Sequence, residues 1–291
     1  MGDHLPNQEE HSSKVIVVSG GTDGMGRATA LARAKRGDDV IVIGSNAEKG
    51  QRIVAETRSA GARGAVQFIR ADLSSIAETG RVIEEVSART DRIDALCLFA
   101  NRQSPQRVLT DEGVERTFAL YYLSRYLLGQ GLSPRMRSSP NGVIVNVAGV
   151  GMTKGSIHWD DLHLSSGYST IAAQLQAGRA NDLLGVAYAA QPEPAARYVL
   201  FHPGFTRSGD LSPLPIAARA MIRAAAFIAA RSIEAAIEPI HGFIDTPSAE
   251  PLMANDRGKA LPLTLPTLDQ ANAERLALIT RTLVGDVSSE S

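Results

Sequence analysis

Apolar residues along the chain fall into short unbroken runs, separated by longer stretches in which they recur every three or four positions. Val15-Ile16-Val17-Val18, Val40-Ile41-Val42-Ile43 and Val143-Ile144-Val145 show no alternation with polar residues. That is the pattern of strands buried on both faces of a parallel sheet. The runs predict strands near 14–19, 39–43, 66–70, 94–99, 142–148 and 197–202. Between them the longer period predicts helices near 24–36, 46–60, 74–89, 111–130 and 170–190. Strands alternating with helices of this length specify a single α/β domain built on a doubly wound parallel sheet. Residues 1–13 read as a polar, flexible tail. Residues 14–245 read as the domain proper. Residues 246–291 read as a C-terminal segment rich in proline (Pro247, Pro251, Pro262, Pro266) ending in a helix over Leu268 to Leu283.

Composition narrows the classes. With 291 residues, 44% of them hydrophobic, the chain can bury a large core. A formal net charge of −1 gives no electrostatic footprint for nucleic acid. The Ala-rich stretch from Ile216 to Ile240 is broken by Arg219, Arg223 and Arg231, so it reads as an amphipathic helix rather than a membrane span. A lone cysteine, Cys97, within Leu96-Cys97-Leu98-Phe99, reads as a buried small hydrophobe. Together with the absence of a secretory signal, it leads to the expectation of a cytoplasmic protein. Five lysines against twenty-five arginines suggest a GC-rich bacterial source.

Ligands of such sheets bind beyond the carboxyl ends of the strands, and there the sequence is most informative. The first strand runs into Gly20-Gly21-Thr22-Asp23-Gly24-Met25-Gly26, which opens a helix. Glycine permits φ > 0 and close approach of backbone N–H groups to a diphosphate, and the helix N-terminus favours its charge. The Gly-x-x-x-Gly-x-Gly spacing resembles the short-chain dehydrogenase/reductase superfamily, with its Rossmann-type fold. So do Ala71-Asp72-Leu73-Ser74 and His202-Pro203-Gly204. Thr110-Asp111-Glu112-Gly113-Val114-Glu115 and Gly155-Ser156-Ile157-His158-Trp159-Asp160-Asp161-Leu162 resemble its retinol-dehydrogenase-like branch. The resemblance runs from about Lys14 to Pro239. It implies a nicotinamide nucleotide held by Gly20, Thr22, Asp23, Gly24, Met25 and Gly26, by Ser45 and Asn46, by Asp72 and Leu73, and by Ala100, Pro203 and Gly204. The second strand ends in Gly44-Ser45-Asn46 with Lys49 beyond, and no acidic residue there repels a 2′-phosphate. NADP(H) is therefore expected over NAD(H), although Asp23 stands where many NADP-dependent relatives carry a basic residue. The resemblance also implies pairing, as a homodimer or homotetramer, through the helices near 111–130 and 170–190.

The catalytic set that the resemblance implies is missing. No Tyr is followed four residues later by Lys anywhere in the chain. The flanking matches put Gln174 at the Tyr, Gly178 at the Lys, Gly149 at the Ser and Tyr121 at the Asn, and replace the Asn-Asn-Ala-Gly wall with Leu98-Phe99-Ala100-Asn101. Tyr121, with Arg125 one turn on, reads either as a relocated acid or as filler for the volume of the lost relay. Gln174 can hydrogen-bond a carbonyl but cannot titrate. Asp160, with Asp161, reads as a substrate acid/base or as pocket rim. Tyr168 reads as cleft-facing or structural, and Arg179 as an anion partner or a solvated residue. His158 and His163 lie in no usual metal-ligand spacing, so no metal is expected.

Three functions remain open. One is an NADP(H)-dependent reductase acting on an activated bond, an iminium or polarised C=C, or ordering a substrate for cyclisation. Its substrate would be an apolar secondary-metabolite intermediate, covered by a lid at about 205–240 with Phe205, Leu211, Leu214 and Ile216. The second is a catalytically silent NADP(H) sensor. The third is a cofactor-free cyclase, isomerase or lyase.

Overall fold

A computed structural model describes residues 13–152, 154–204 and 232–290, with side chains to 285. The proposed lid residues 205–231 and the tail 1–12 lie outside the described residues. Strands β1 (Val15–Ser19), β2 (Asp39–Gly44), β3 (Val66–Arg70), β4 (Ala95–Leu98), β5 (Val143–Val147) and β6 (Arg197–His202) stand where the apolar runs predict them. Helices α1 (Gly24–Arg36), α2 (Ala47–Ser59) and α3 (Ile76–Arg89) connect the first four strands, and α7 (Thr170–Ala189) precedes β6.

The predicted helix over 111–130 is shorter and irregular. It begins as α4 (Arg116–Phe118), passes through a π-helical turn (Ala119–Leu123), and continues as α5 (Ser124–Gly131) and α6 (Ser133–Arg137). Residues 111–115 form a turn instead, because two carboxylates there are used as caps. Glu115 accepts the N–H groups of Thr117 and Phe118 at 2.9 and 2.8 Å. Glu112 accepts from Ile76 N–H at 2.8 Å and Ser75 Oγ at 2.9 Å, at the start of α3. Each carboxylate satisfies orphan donors of a helix N-terminus.

Beyond the sequence expectation, the C-terminal segment adds two strands. After α8 (Ile233–Asp245), β7 (Leu252–Asp256) pairs parallel with β6, and β8 (Lys259–Leu261) returns antiparallel along β7. Arg257 and Gly258 make the hairpin, at φ 54° and 90°. Both central residues of such a two-residue turn need positive φ, and Arg257 hides a signal that Asn-Gly or Asp-Gly would have given. The sheet order is β3-β2-β1-β4-β5-β6-β7-β8, so the order reverses between β1 and β4 and opens a crevice at their carboxyl ends. Side chains of α1, α2 and α8 fill one face, and those of α3, α5, α7 and α9 (Gln270–Glu290) fill the other.

Helix α9 lies along α7, and Thr280 meets Tyr122 of the π turn, hydroxyl to hydroxyl, at 2.6 Å. Part of the α7 surface through which pairing is expected is therefore covered by α9. No helix among the described residues is long and apolar enough to cross a membrane.

A buried ion pair fixes α1 to the rest. Arg33 Nε lies 2.6 Å from Asp38, both side chains fully buried, and Arg33 Nη1 lies 2.7 Å from Asp245 of α8. Removing one partner leaves a desolvated charge behind. Asp38→Ala is expected to lower the unfolding free energy by about 3–5 kcal/mol, and Asp245→Ala by clearly less, its carboxylate being 33% exposed. Urea unfolding of the two variants checks the order.

Candidate functional site

At the end of β1 the chain turns through Gly20, at φ 70°, into α1. A Cβ on Gly20 would lie 2.7 Å from the backbone nitrogen of Ala100, and one on Gly26 would lie 2.4 Å from Gly20 O. The glycines thus let the β1 turn, the β4 end and α1 close on one another, leaving α1's first turn without an acidic side chain. Asp23 caps α1, accepting from Gly24 N–H at 2.8 Å, and its other oxygen pairs with Lys49. Lys49, the basic residue just beyond the second strand's end, is therefore engaged by a carboxylate 26 residues earlier in the chain. Thr22 packs against Gly44, and Met25 is half-buried against the core.

The residues expected on the adenosine side lie at neighbouring strand ends. Ser45 and Asn46 are exposed past β2, with the Asn46 side chain capping α2 through Lys49 N–H at 2.9 Å. Asp72 follows β3. Its partial burial is outweighed by bonds from Ser74 N–H and Oγ, at 3.0 and 2.7 Å, and by Arg116, so its carboxyl sits below the usual range. Leu73 is buried beneath it. Pro203 and Gly204, the latter at φ 83°, follow β6. A glycine cradle at a helix N-terminus, with neutral and acidic groups at the β2 and β3 ends, fits a dinucleotide.

The nicotinamide side of the crevice would be walled by Ala100 and by the loop after β5, and here the structure gathers residues the family pattern does not supply. Tyr121 lies in a small apolar cluster with Ala148 and Ala177. The guanidinium of Arg125 sits 4.6 Å from the centre of the Tyr121 ring. Burial raises the Tyr121 pKa more than Arg125 lowers it, so the phenol keeps its proton. Arg125 is itself buried, and burial pulls its pKa down to about 10. It donates to Asn146 Oδ1, to Val147 O at 2.9 Å and to Ala100 O at 3.0 Å. Asn146 passes the network on to Asn181 at 3.0 Å and Tyr198 at 2.8 Å, and Asn181 donates to Tyr121 O at 2.7 Å.

The other expected residues are placed differently. Gln174 and Asn101 pair their amides reciprocally, at 3.0 and 3.2 Å, across the mouth between the β4 end and α7. Tyr168 and Thr170 both donate to Ser104 O, at 2.8 and 2.9 Å, so Tyr168 tethers a loop. Asp160 is exposed, and among the described residues no hydrogen bond joins it to Tyr121 or Gln174. Asp161 caps Ser165 and Ser166, while His163 Nδ1 accepts Glu115 N–H. No group that could hold a metal occurs among the described residues. Burial pushes the Cys97 thiol up to about 12, which leaves it inert.

Sequence reasoning missed Asp182. It stands on α7 one turn beyond Gly178, almost fully buried, with Arg179 Nη1 at 3.3 Å. Burial outweighs the pull of Arg179 and raises its carboxyl to about 7. The only sequence signal was an Asp at helical spacing from Gln174 and Gly178, on the face expected to hold the catalytic pair.

The sequence profile described as short chain dehydrogenase matches residues 14–161. The oxidoreductase andH of Emericella variicolor is 27% identical over 203 residues, 69% of this chain and 60% of its own length. Retinol dehydrogenase 13 of Mus musculus is 28% identical over 176 residues, 60% of this chain and 53% of its own. The matched region thus spans only about half to three fifths of these relatives. A short chain dehydrogenase from Salmonella enterica superposes with a TM-score of 0.62 at 19% identity, over 88% of this chain and 100% of that one. A short chain dehydrogenase/reductase family protein does so with a TM-score of 0.60 at 20% identity, over 84% and 96%. These two likenesses show the fold.

The raised Asp182 carboxyl has a consequence for stability. Between about pH 4 and about pH 7 the folded chain holds a proton there that the unfolded chain releases, so this group stabilises at low pH and that contribution is lost as pH rises through about 7. His241, pushed down to about 4 by burial, gives the opposite slope in the same window. The difference between wild-type and Asp182→Asn unfolding free energies is therefore the measurement, and it should shift in favour of the variant as pH rises across that window.

Proposed function

The chain is a member of the short chain dehydrogenase family, and from that footing we propose an NADP(H)-binding reductase of an activated, apolar substrate with Tyr121 as proton donor. The observation that carries this reading is Tyr121 packed with Ala148 and Ala177 at the crevice, with Arg125 over its ring. A bound nicotinamide nucleotide supplies the hydride. Everything else falls to the chain. The β1 turn from Gly20 to Gly26 holds the diphosphate, Asp72 and Leu73 flank the adenine, and Ser45 with Asn46 receive the ribose phosphate end. Ala100, Pro203 and Gly204 wall the nicotinamide side. The Asp23–Lys49 pair leaves neither an unscreened carboxylate to repel a 2′-phosphate nor an uncommitted ammonium to seize it.

Tyr121 suits an acid rather than a base, because burial keeps it protonated. Once the proton has gone to substrate, Arg125 over the ring stabilises the phenolate. With no Lys four residues from a Tyr, an iminium or a polarised C=C is the bond class that asks least of the protein. Met152, Leu261 and Leu265 around Gly149 and Gly151 give that site apolar walls, which fits an intermediate of secondary metabolism. The Asn101–Gln174 amide pair supports a second reading, in which the mouth stays closed: a silent nucleotide sensor, or a cofactor-free cyclase, isomerase or lyase.

Titrating the purified protein with NADPH and NADH, following nicotinamide fluorescence, separates the two. Low-micromolar binding with preference for NADPH is expected, and Gly26→Val should abolish it. Asp23→Ser, by releasing Lys49, should raise the NADPH to NADH preference several-fold. No binding up to millimolar nucleotide overturns the reductase. Once a substrate is found, Tyr121→Phe should lower the rate by about 10²–10⁴ while leaving NADPH affinity within a few-fold of wild type.

A further inference from the structure

A cavity of about 300 Å³ lies on the outer flank of α7, between that helix and two other elements. Arg179 and Leu183 of α7 form one wall, and the stretch from Gly155 to Trp159 after β5 forms the second. Leu265, the 3₁₀ turn that begins at Pro266 and the start of α9 form the third. At about 3.6 residues per turn, Arg179 and Leu183 lie on a different face of α7 from Gln174 and Gly178. The cavity is thus separate from the nucleotide crevice.

Each wall is held by bonds of its own. Arg179 Nη2 donates to Gly155 O at 3.2 Å, and His158 N–H donates to Gln176 Oε1 at 2.9 Å. Leu268 N–H closes the 3₁₀ turn on Leu265 O at 2.9 Å. The guanidinium of Arg275 lies over the Trp159 ring, 4.2 Å from its centre. A cavity formed in advance binds without an ordering cost.

The lining sets the chemistry of what fits. Ile157, Trp159, Leu183, Leu265 and Pro266 make the walls largely apolar. An apolar cavity of about 150 Å³ holds benzene, so this one has room for a compact molecule of one or two rings. Among the described lining residues Arg179 alone is charged, and its charge is already met. Asp182 lies 3.3 Å from it, and it donates to Met152 O at 2.9 Å as well as to Gly155 O. A charged ligand would lose hydration there without gaining a counter-ion. Thr267 supplies the polar anchor. Its hydroxyl is buried without a hydrogen-bond partner, which is costly, and a turn about χ1 exchanges hydroxyl and methyl. Ser156 and Asn272 are exposed and mark the mouth.

We propose that this cavity binds a small neutral ring alcohol, with its ring against Trp159 and Leu183 and its oxygen on the Thr267 hydroxyl. The site is independent of the nucleotide crevice and stands whether or not a nucleotide binds.

Trp159 is the sole tryptophan of the chain, so its emission reports on the cavity directly. The full chain is titrated with borneol, a bicyclic alcohol transparent in the tryptophan band. Binding is followed by emission and by calorimetry, with and without millimolar NADPH. A saturable change with a midpoint below about 1 mM is expected, the same by both methods and in both conditions. Ser156→Phe, which closes the mouth from an exposed position, should weaken binding at least about tenfold, and Thr267→Val, which keeps the side-chain shape, about fivefold. No saturable change up to several millimolar overturns the proposal. So does heat of binding without a change in Trp159 emission, wild-type affinity in both variants, or displacement of borneol by NADPH. A protein that binds borneol but not NADPH would sink the reductase reading and leave this site standing.

Discussion

Everything at the crevice hangs on how the chain buries the charge of Arg125. A guanidinium taken out of water is costly unless its donors are met, and all three hydrogen-bonded oxygens here are neutral. Two are the carbonyls of Ala100 and Val147, just where β4 and β5 end and the ladder no longer uses them. The third is Asn146, whose amide is fully used, accepting from Arg125 and donating to Asn181 and Tyr198. One cation therefore fixes two strand ends, and through Asn181 it holds α7 and the carbonyl of Tyr121. The aromatic face of Tyr121 completes its surroundings. The position of the Tyr121 hydroxyl is in this sense a by-product of solvating Arg125.

The π turn belongs to the same arrangement. Inserting a residue into a helix turns the side chains beyond it, and Ala119–Leu123 is where Tyr121 and Tyr122 part company. Tyr121 reaches the β5 loop, while Tyr122 is buried against Phe118 and Thr280. On the facing helix, Gln174, Gly178 and Asp182 recur every four residues. They present an amide latched to Asn101, an open position and a buried carboxyl. A glycine between two polar residues allows the space to be shared by groups from other elements, which a lysine there would have filled.

The sheet was legible because doubly buried strands leave unbroken apolar runs, and the β1 glycine turn because its spacing is constrained by close packing. The i to i+4 relation of Tyr121 and Arg125 was also readable, as a relocated acid or as filler for the lost relay. The depth of burial that holds the proton on the phenol was not. What escaped depended on partners far along the chain. Lys49 looks like an anion ligand until Asp23 folds against it, and Gln174 like a carbonyl ligand until Asn101 does. Glu112 and Glu115 looked helical because carboxylates suit a helix start, and nothing local says that Glu112 caps a different helix. Asp182, next to Leu183 and Leu184, gave no pattern separating a buried carboxyl from one on a solvated face. The β7–β8 hairpin was masked by flanking prolines and by Arg257 in a conformation usually left to glycine or asparagine.

The placement of the last elements also bears on the order in which the protein can be completed during synthesis. Every residue proposed to hold the nucleotide is made by Gly204, yet among the described residues the outer neighbour of β6 is Leu252–Asp256 and the helix lying along α7 is Gln270–Glu290. A nascent chain is extended at about 5–20 residues per second, so for some seconds on the ribosome a nearly finished crevice coexists with an uncovered sheet edge and a bare face of leucine, alanine and tyrosine. Messages truncated within the last exposed stretch would yield chains with the whole crevice and without its cover. Such products are suited to chaperone capture and degradation rather than to accumulation as a smaller, working form.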